Sequence, residues 1–111
     1  VLLLRTVTNC LLFIYKVKGI SMEPGYRPGN LVVGIKSKKI NIDDVVVVQH
    51  KSLGKIIKRV KSMNENGIML KSDNKKYGST VANELHSSES IIGKVCLRIL
   101  PVGHFFKLTG S

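Results

Sequence analysis

The chain has 111 residues, room for one hydrophobic core but not for two. Lysine and arginine number 18 against 7 aspartates and glutamates, a formal net charge of +11, yet 43% hydrophobic residues exclude a disordered polybasic tail. Cys10 and Cys96 stand far apart, which excludes a disulfide-rich scaffold and a CxxC zinc site. Taken in chain order, the first 15 residues are mostly apolar but broken by Arg5, Thr6, Thr8 and Asn9. They fall short of the roughly 18 uninterrupted apolar residues of a membrane span and carry no small-residue cleavage site. Residues 1–15 are therefore expected as an apolar segment of their own, a helix or membrane anchor or a stretch packed on the protein itself. A domain over residues 16–101 and a tail over 102–111 follow.

Beyond Lys16 the pattern changes to short runs rich in β-branched residues. Strands are predicted over Leu31 to Ile35, Val45 to Val48, Lys55 to Lys61, Ile68 to Lys71 and Ile91 to Leu100. The unbroken valine run reads as a strand covered on both faces. Turn chemistry separates the runs at Pro24-Gly25, Pro28-Gly29, Asn41 to Asp44, Asn66-Gly67 and Asp73-Asn74. Short strands at this spacing predict a mainly β fold, coiled into a partly open barrel.

Two segments can carry chemistry. In Gly19-Ile20-Ser21-Met22-Glu23-Pro24-Gly25 and the Pro28-Gly29 that follows, sharp turns flank Ser21. A serine at such a bend either caps a turn or exposes its hydroxyl beside backbone N–H groups that can hold an oxyanion. In Lys55 to Lys61, a period of two puts Ile56, Lys58 and Val60 on one face. Either Lys58 is buried there and gives up its proton readily, or the strand is an edge whose lysines all reach water. A neutral lysine is the base that a serine nucleophile needs. His50, His86 and His104 are scattered and read as surface or loop residues, and Asp43-Asp44 reads as a turn before a strand. No metal site and no cofactor are expected.

The cations are dispersed, and 14 of the 18 are lysine rather than the arginine that bidentate base or phosphate recognition favours. Aromatics make up 5%, too few for a base-stacking platform. A solvated lysine-rich surface is the expectation, and nucleic acid is not an expected partner.

Taken together, the segments resemble the Ser–Lys peptidase superfamily of type I signal peptidases and LexA/UmuD-type self-cleaving proteins. Ser21-Met22-Glu23-Pro24 resembles the nucleophile box. Pro28-Gly29-Asn30-Leu31-Val32-Val33 is similar to the following Gly-Asp-aliphatic box, with Asn30 for the usual aspartate. Asp43-Asp44 and its valines look like the next such strand, with Asp43 where glycine is common. Ile57-Lys58-Arg59-Val60 resembles the Lys-Arg-Val box, and Leu70 to Asn74 and Ile91 to Val95 match the late boxes in order. The resemblance implies Ser21 as nucleophile, Lys58 as general base and the Ser21 backbone N–H in the oxyanion hole. Gly19 supplies no side-chain hydroxyl to that hole. Met22 is expected beside the substrate groove, and Ser79 or Thr80 is the candidate for orienting the lysine.

The resemblance further implies a serine endopeptidase that cleaves a precursor or signal peptide bound as an extended strand. The apolar segment ahead of the nucleophile box leans toward the signal-peptidase side, with membrane association at a bacterial-type inner membrane. The alternatives are a self-cleaving LexA/UmuD-type protease, cytoplasmic in location, and an inactive member or basic binding module.

Overall fold

A computed structural model describes residues 2–5, 11–37, 39–76 and 84–99. They form one antiparallel sheet of eight strands: β1 (Leu2–Arg5), β2 (Leu11–Lys16), β3 (Leu31–Ile35), β4 (Val45–His50), β5 (Gly54–Asn64), β6 (Gly67–Lys71), β7 (Leu85–His86) and β8 (Ile91–Ile99). Their spatial order is β1-β2-β3-β8-β4-β5-β6-β7, so the sheet is open, with β1 and β7 at its edges. The mainly β architecture expected from the strand spacing is the one observed.

Central β4 explains why the sheet must coil. Val45, Val46, Val47 and Val48 are all buried, although successive side chains point to opposite faces. Val45 and Val47 pack with Phe13, Tyr15, Val17, Met22, Val32 and Ile57, while Val46 and Val48 pack with Ile40, Val60, Ile68 and Leu70. Both faces of β4 are thus covered by other parts of the same chain. Register shifts at Val33/Gly34, Val47/Val48 and Val60/Ser62 supply the extra local twist this curling needs.

Of the options for the N-terminal segment, packing on the protein itself is the one observed over residues 11–15. Residues 11–15 belong to strand β2 rather than to a helix or anchor, and the expected boundary after residue 15 falls inside that strand. Phe13, Tyr15 and Val17 point into the core at a period of two, a pattern that the continuous apolar run Leu11 to Tyr15 conceals. Among the described residues no helix is long and apolar enough to cross a membrane. The expected tail over 102–111 lies outside the described residues.

Asp43 stands at a turn position where the resembling box commonly has glycine. Its φ is +74°, in the left-handed region where a Cβ is disfavoured. Its carbonyl nevertheless accepts from Arg59 Nη1 at 2.7 Å, and its N–H donates to Val60 O at 2.9 Å. Both bonds use the backbone, and the Asp43–Lys71 ion pair at 3.6 Å lies between exposed side chains and contributes little. Asp43→Gly is therefore expected to keep or raise stability in a urea titration. Asp43→Ala is expected to lower it by about 1 kcal/mol, because alanine tolerates the left-handed region less well than aspartate.

Candidate active site

The loop between β2 and β3 is closed at its base by two bonds, Val17 N–H to Asn30 O at 2.8 Å and Gly29 N–H to Val17 O at 2.9 Å. Gly19 and Gly29 take positive φ of 76° and 91°, which the two sharp bends require. Asn30, which stands where the resembling box has aspartate, is buried, and its Oδ1 accepts from Arg27 N–H at 2.9 Å. That bond needs only an acceptor oxygen, so the amide serves the turn as a carboxylate would. Met22 is fully buried in the core beside Phe13 and Val32 and does not line the cleft described next. The side chain plugs the loop into the core one residue after Ser21.

Ser21 and Lys58 line one cleft of about 230 Å³, together with Tyr15, Lys18, Gly19, Ile20, Leu53, Lys55, Ile56 and Ile57. Ser21 is 8% exposed and Lys58 5%. The inward option for Lys58 is the one observed. Lys58 pairs with Val46 across the β4–β5 ladder, among apolar side chains, and burial pushes its ammonium below the ordinary lysine range. On the other face of β5, which also carries Lys55, Arg59 and Lys61, Ile57 is buried in the core. A groove of about 560 Å³, larger than this cleft, shares no residue with it, and the lysine of that groove, Lys36, is exposed to solvent.

Three consecutive residues after β6 tie the site together. Lys58 Nζ donates to Ser72 Oγ at 3.0 Å. Asp73 takes a bidentate pair from Arg59, Nε to Oδ1 and Nη2 to Oδ2, both at 2.8 Å, and this carboxylate raises the guanidinium pKa further. Asn74 donates its N–H to Ser21 O at 2.9 Å and its Nδ2 to Ile20 O at 3.0 Å. One short segment thereby holds the serine loop, the lysine and the lysine's strand in register.

Ser72 is the hydroxyl that sequence reasoning missed. Ser79 and Thr80, the expected candidates for orienting the lysine, lie outside the described residues. Among the remaining sequence candidates, His50 Nδ1 accepts from the N–H groups of Ser52 and Leu53, and its Nε2 lies 3.1 Å from Glu84 Oε2. His86 is buried in β7 rather than at the surface, where the β6–β7 pairing sets it beside Ile68. His104 and Cys10 lie outside the described residues, and Cys96 is an exposed free thiol. Among the described residues no cluster of three His, Cys, Asp or Glu can hold a metal ion.

An open, coiled antiparallel sheet thus brings a buried serine and a buried lysine to one cleft. The chain belongs to the Peptidase S24-like family, whose model matches residues 3–96. A comparison with the curated proteins found no match.

If Ser72 positions the Lys58 amine, Ser72→Ala is expected to slow turnover about 10- to 100-fold, less than the roughly 10²- to 10⁴-fold of a whole general-base contribution because the lysine itself remains. The loss should fall on kcat with KM little changed, and Ser72→Thr should restore most of it. A pH–rate profile checks the assignment, because the apparent pKa of the base should move in Ser72→Ala, whereas a purely structural serine would leave it in place.

Proposed function

We propose that the protein is a serine endopeptidase with Ser21 as nucleophile and Lys58 as general base, acting in trans on an extended precursor peptide. The observation that carries this reading is the burial of both residues in one cleft, with the lysine depressed by desolvation. Neutral Lys58 takes the Ser21 proton as Oγ attacks the scissile carbonyl. The Ser21 N–H contributes to holding the oxyanion, the lysine returns the proton to the leaving amine, and water releases the acyl group. No cofactor takes part in these steps.

Two further features support the substrate side. β6 pairs with β5 only over Arg59–Asn64, and among the described residues no strand pairs with Lys55 to Ile57 on that side, where Lys55 O accepts from the Tyr15 hydroxyl at 2.9 Å; a substrate strand would add to the rest of this edge beside the cleft. A cleft of about 230 Å³, smaller than the usual ligand pocket, favours small side chains at the cut.

The test is an intact-mass time course of the purified protein with peptides carrying small residues at the cut, run beside Ser21→Ala. Peptide cleavage absent from Ser21→Ala supports the reading. Shortening of the protein alone moves it to self-processing, and peptide cleavage that survives Ser21→Ala refutes it.

A further inference from the structure

The cleft has a charge pattern that the proton transfer does not use. Besides Lys58 it is lined by Lys18 and Lys55, and no carboxylate lines it among the described residues. Lys18 stands three residues before Ser21 and Lys55 three before Lys58, so each wall of the cleft carries one lysine at the same offset from its reacting residue. Both are exposed, and among the described residues neither makes an ion pair. Their neighbours on the rim are Ile20 and Leu53, with 48% and 60% of their surface open. A cationic pair flanked by exposed apolar side chains suits a ligand that is itself amphipathic and negative.

We propose that Lys18 and Lys55 form a subsite for acidic side chains, and that the preferred substrate carries a glutamate or aspartate about three residues from the scissile bond. This deepens the peptidase reading and rests on it for the position of the cut. For Lys55 the offset follows from strand geometry, while Lys18 stands on the opposite wall in the bend that leads to Ser21. Three residues of β5 span roughly 10 Å, and a substrate strand laid beside it advances at the same rise. A substrate carboxylate at that distance meets an ammonium, while Ile20 and Leu53 cover the adjoining apolar side chains. The small cleft next to the dyad reads the residue at the cut, and the lysines on the rim read its surroundings.

The experiment compares two peptides of one length with the same small residues at the cut. One has glutamates three residues to either side, the other glutamines. Cleavage is read as kcat/KM on the unmodified protein, and binding by fluorescence anisotropy on Ser21→Ala, which does not consume the peptide. About tenfold preference for the glutamate peptide is expected at low salt in both readouts, shrinking as salt screens the exposed pairs. In Lys18→Gln/Lys55→Gln the preference for glutamate over glutamine should vanish in both readouts, and in Lys39→Gln/Lys61→Gln it should remain.

Equal binding and cleavage of the two peptides would overturn the acidic subsite and leave the peptidase standing. A preference lost equally in the two double variants would also overturn it, since net charge alone would then be responsible. Anionic vesicles that bind through Lys18 and Lys55, with no discrimination between the peptides, would reassign the rim to a lipid surface. Tight binding of the glutamate peptide to a protein that cuts neither would remove the peptidase and keep the acidic subsite.

Discussion

Ser21→Ala is expected to lower peptide cleavage by about ten-thousand-fold or more, with the melting transition unchanged. Removing the nucleophile leaves only binding and oxyanion contacts, and losses of that order are typical when the attacking group goes. Stability should hold because the contact seen for Ser21 within the protein runs through its backbone carbonyl, to Asn74 N–H. Lys58→Arg should be as inactive, because a guanidinium stays charged throughout the working range and cannot accept the proton. Lys58→Met should be inactive too, yet at least as stable as the parent at neutral pH. The sign follows from burial. The folded state lowers the lysine pKa, so between that value and the ordinary lysine pKa the unfolded chain binds more protons. Stability of the parent therefore rises with pH across that window, and methionine removes the dependence. Urea titrations at neutral and alkaline pH on the parent and Lys58→Met check both statements.

Phe13→Ala is expected to destabilise the fold by about 3–5 kcal/mol, the largest structural effect anticipated for a single side chain here. The ring is fully buried, and it lies directly over two glycines, Gly34 and Gly93. Phe13 pairs with Gly34 across β2 and β3, while Gly93 sits on β8, the strand beyond. A Cβ at either glycine would overlap the Phe13 ring and a neighbouring carbonyl, that of Lys94 for Gly34 and that of Ile35 for Gly93. Phenylalanine and the glycines are thus one packing unit spanning three strands. Truncating the ring leaves a cavity over bare backbone that no adjacent side chain fills. Gly34→Ala approaches the same unit from the other side and should also be destabilising, by overpacking. A domain of this size holds only about 5–15 kcal/mol in all, so Phe13→Ala should be partly unfolded on warming and read clearly in a urea titration.

How much the sequence could reveal depended on whether local pattern or long-range register decided the outcome. The valine run announced β4 as a strand buried on both faces, because no polar residue interrupts it. The placement of Lys58 between Ile56 and Val60 was equally legible from period-two alternation. β2 was hidden, since its inward residues Phe13 and Tyr15 alternate with other apolar residues rather than with polar ones. Nothing in a window of ten residues shows that Phe13 faces two distant glycines.

Ser72 was missed for a sharper reason. From the Asn66-Gly67 turn, regular pairing continues Asn64 to Gly67, Met63 to Ile68 and Ser62 to Met69. Unbroken, that register would set Ser72 opposite Arg59. The shift between Val60 and Ser62 skips one residue of β5, so Arg59 pairs with Lys71 and Ser72 comes level with Lys58. A one-residue bulge, invisible in the sequence, decides which hydroxyl meets the lysine. It also frees Asp73 for Arg59 and Asn74 for the Ser21 loop.

The rate of Ser21-dependent peptide cleavage, followed from neutral to alkaline pH in the parent and in Lys58→Arg, tests the dyad most directly. The account predicts a parent rate that rises with pH and levels off below the ordinary lysine pKa, with Lys58→Arg at background throughout. A Lys58→Arg protein that keeps the parent's rate and pH profile would contradict it.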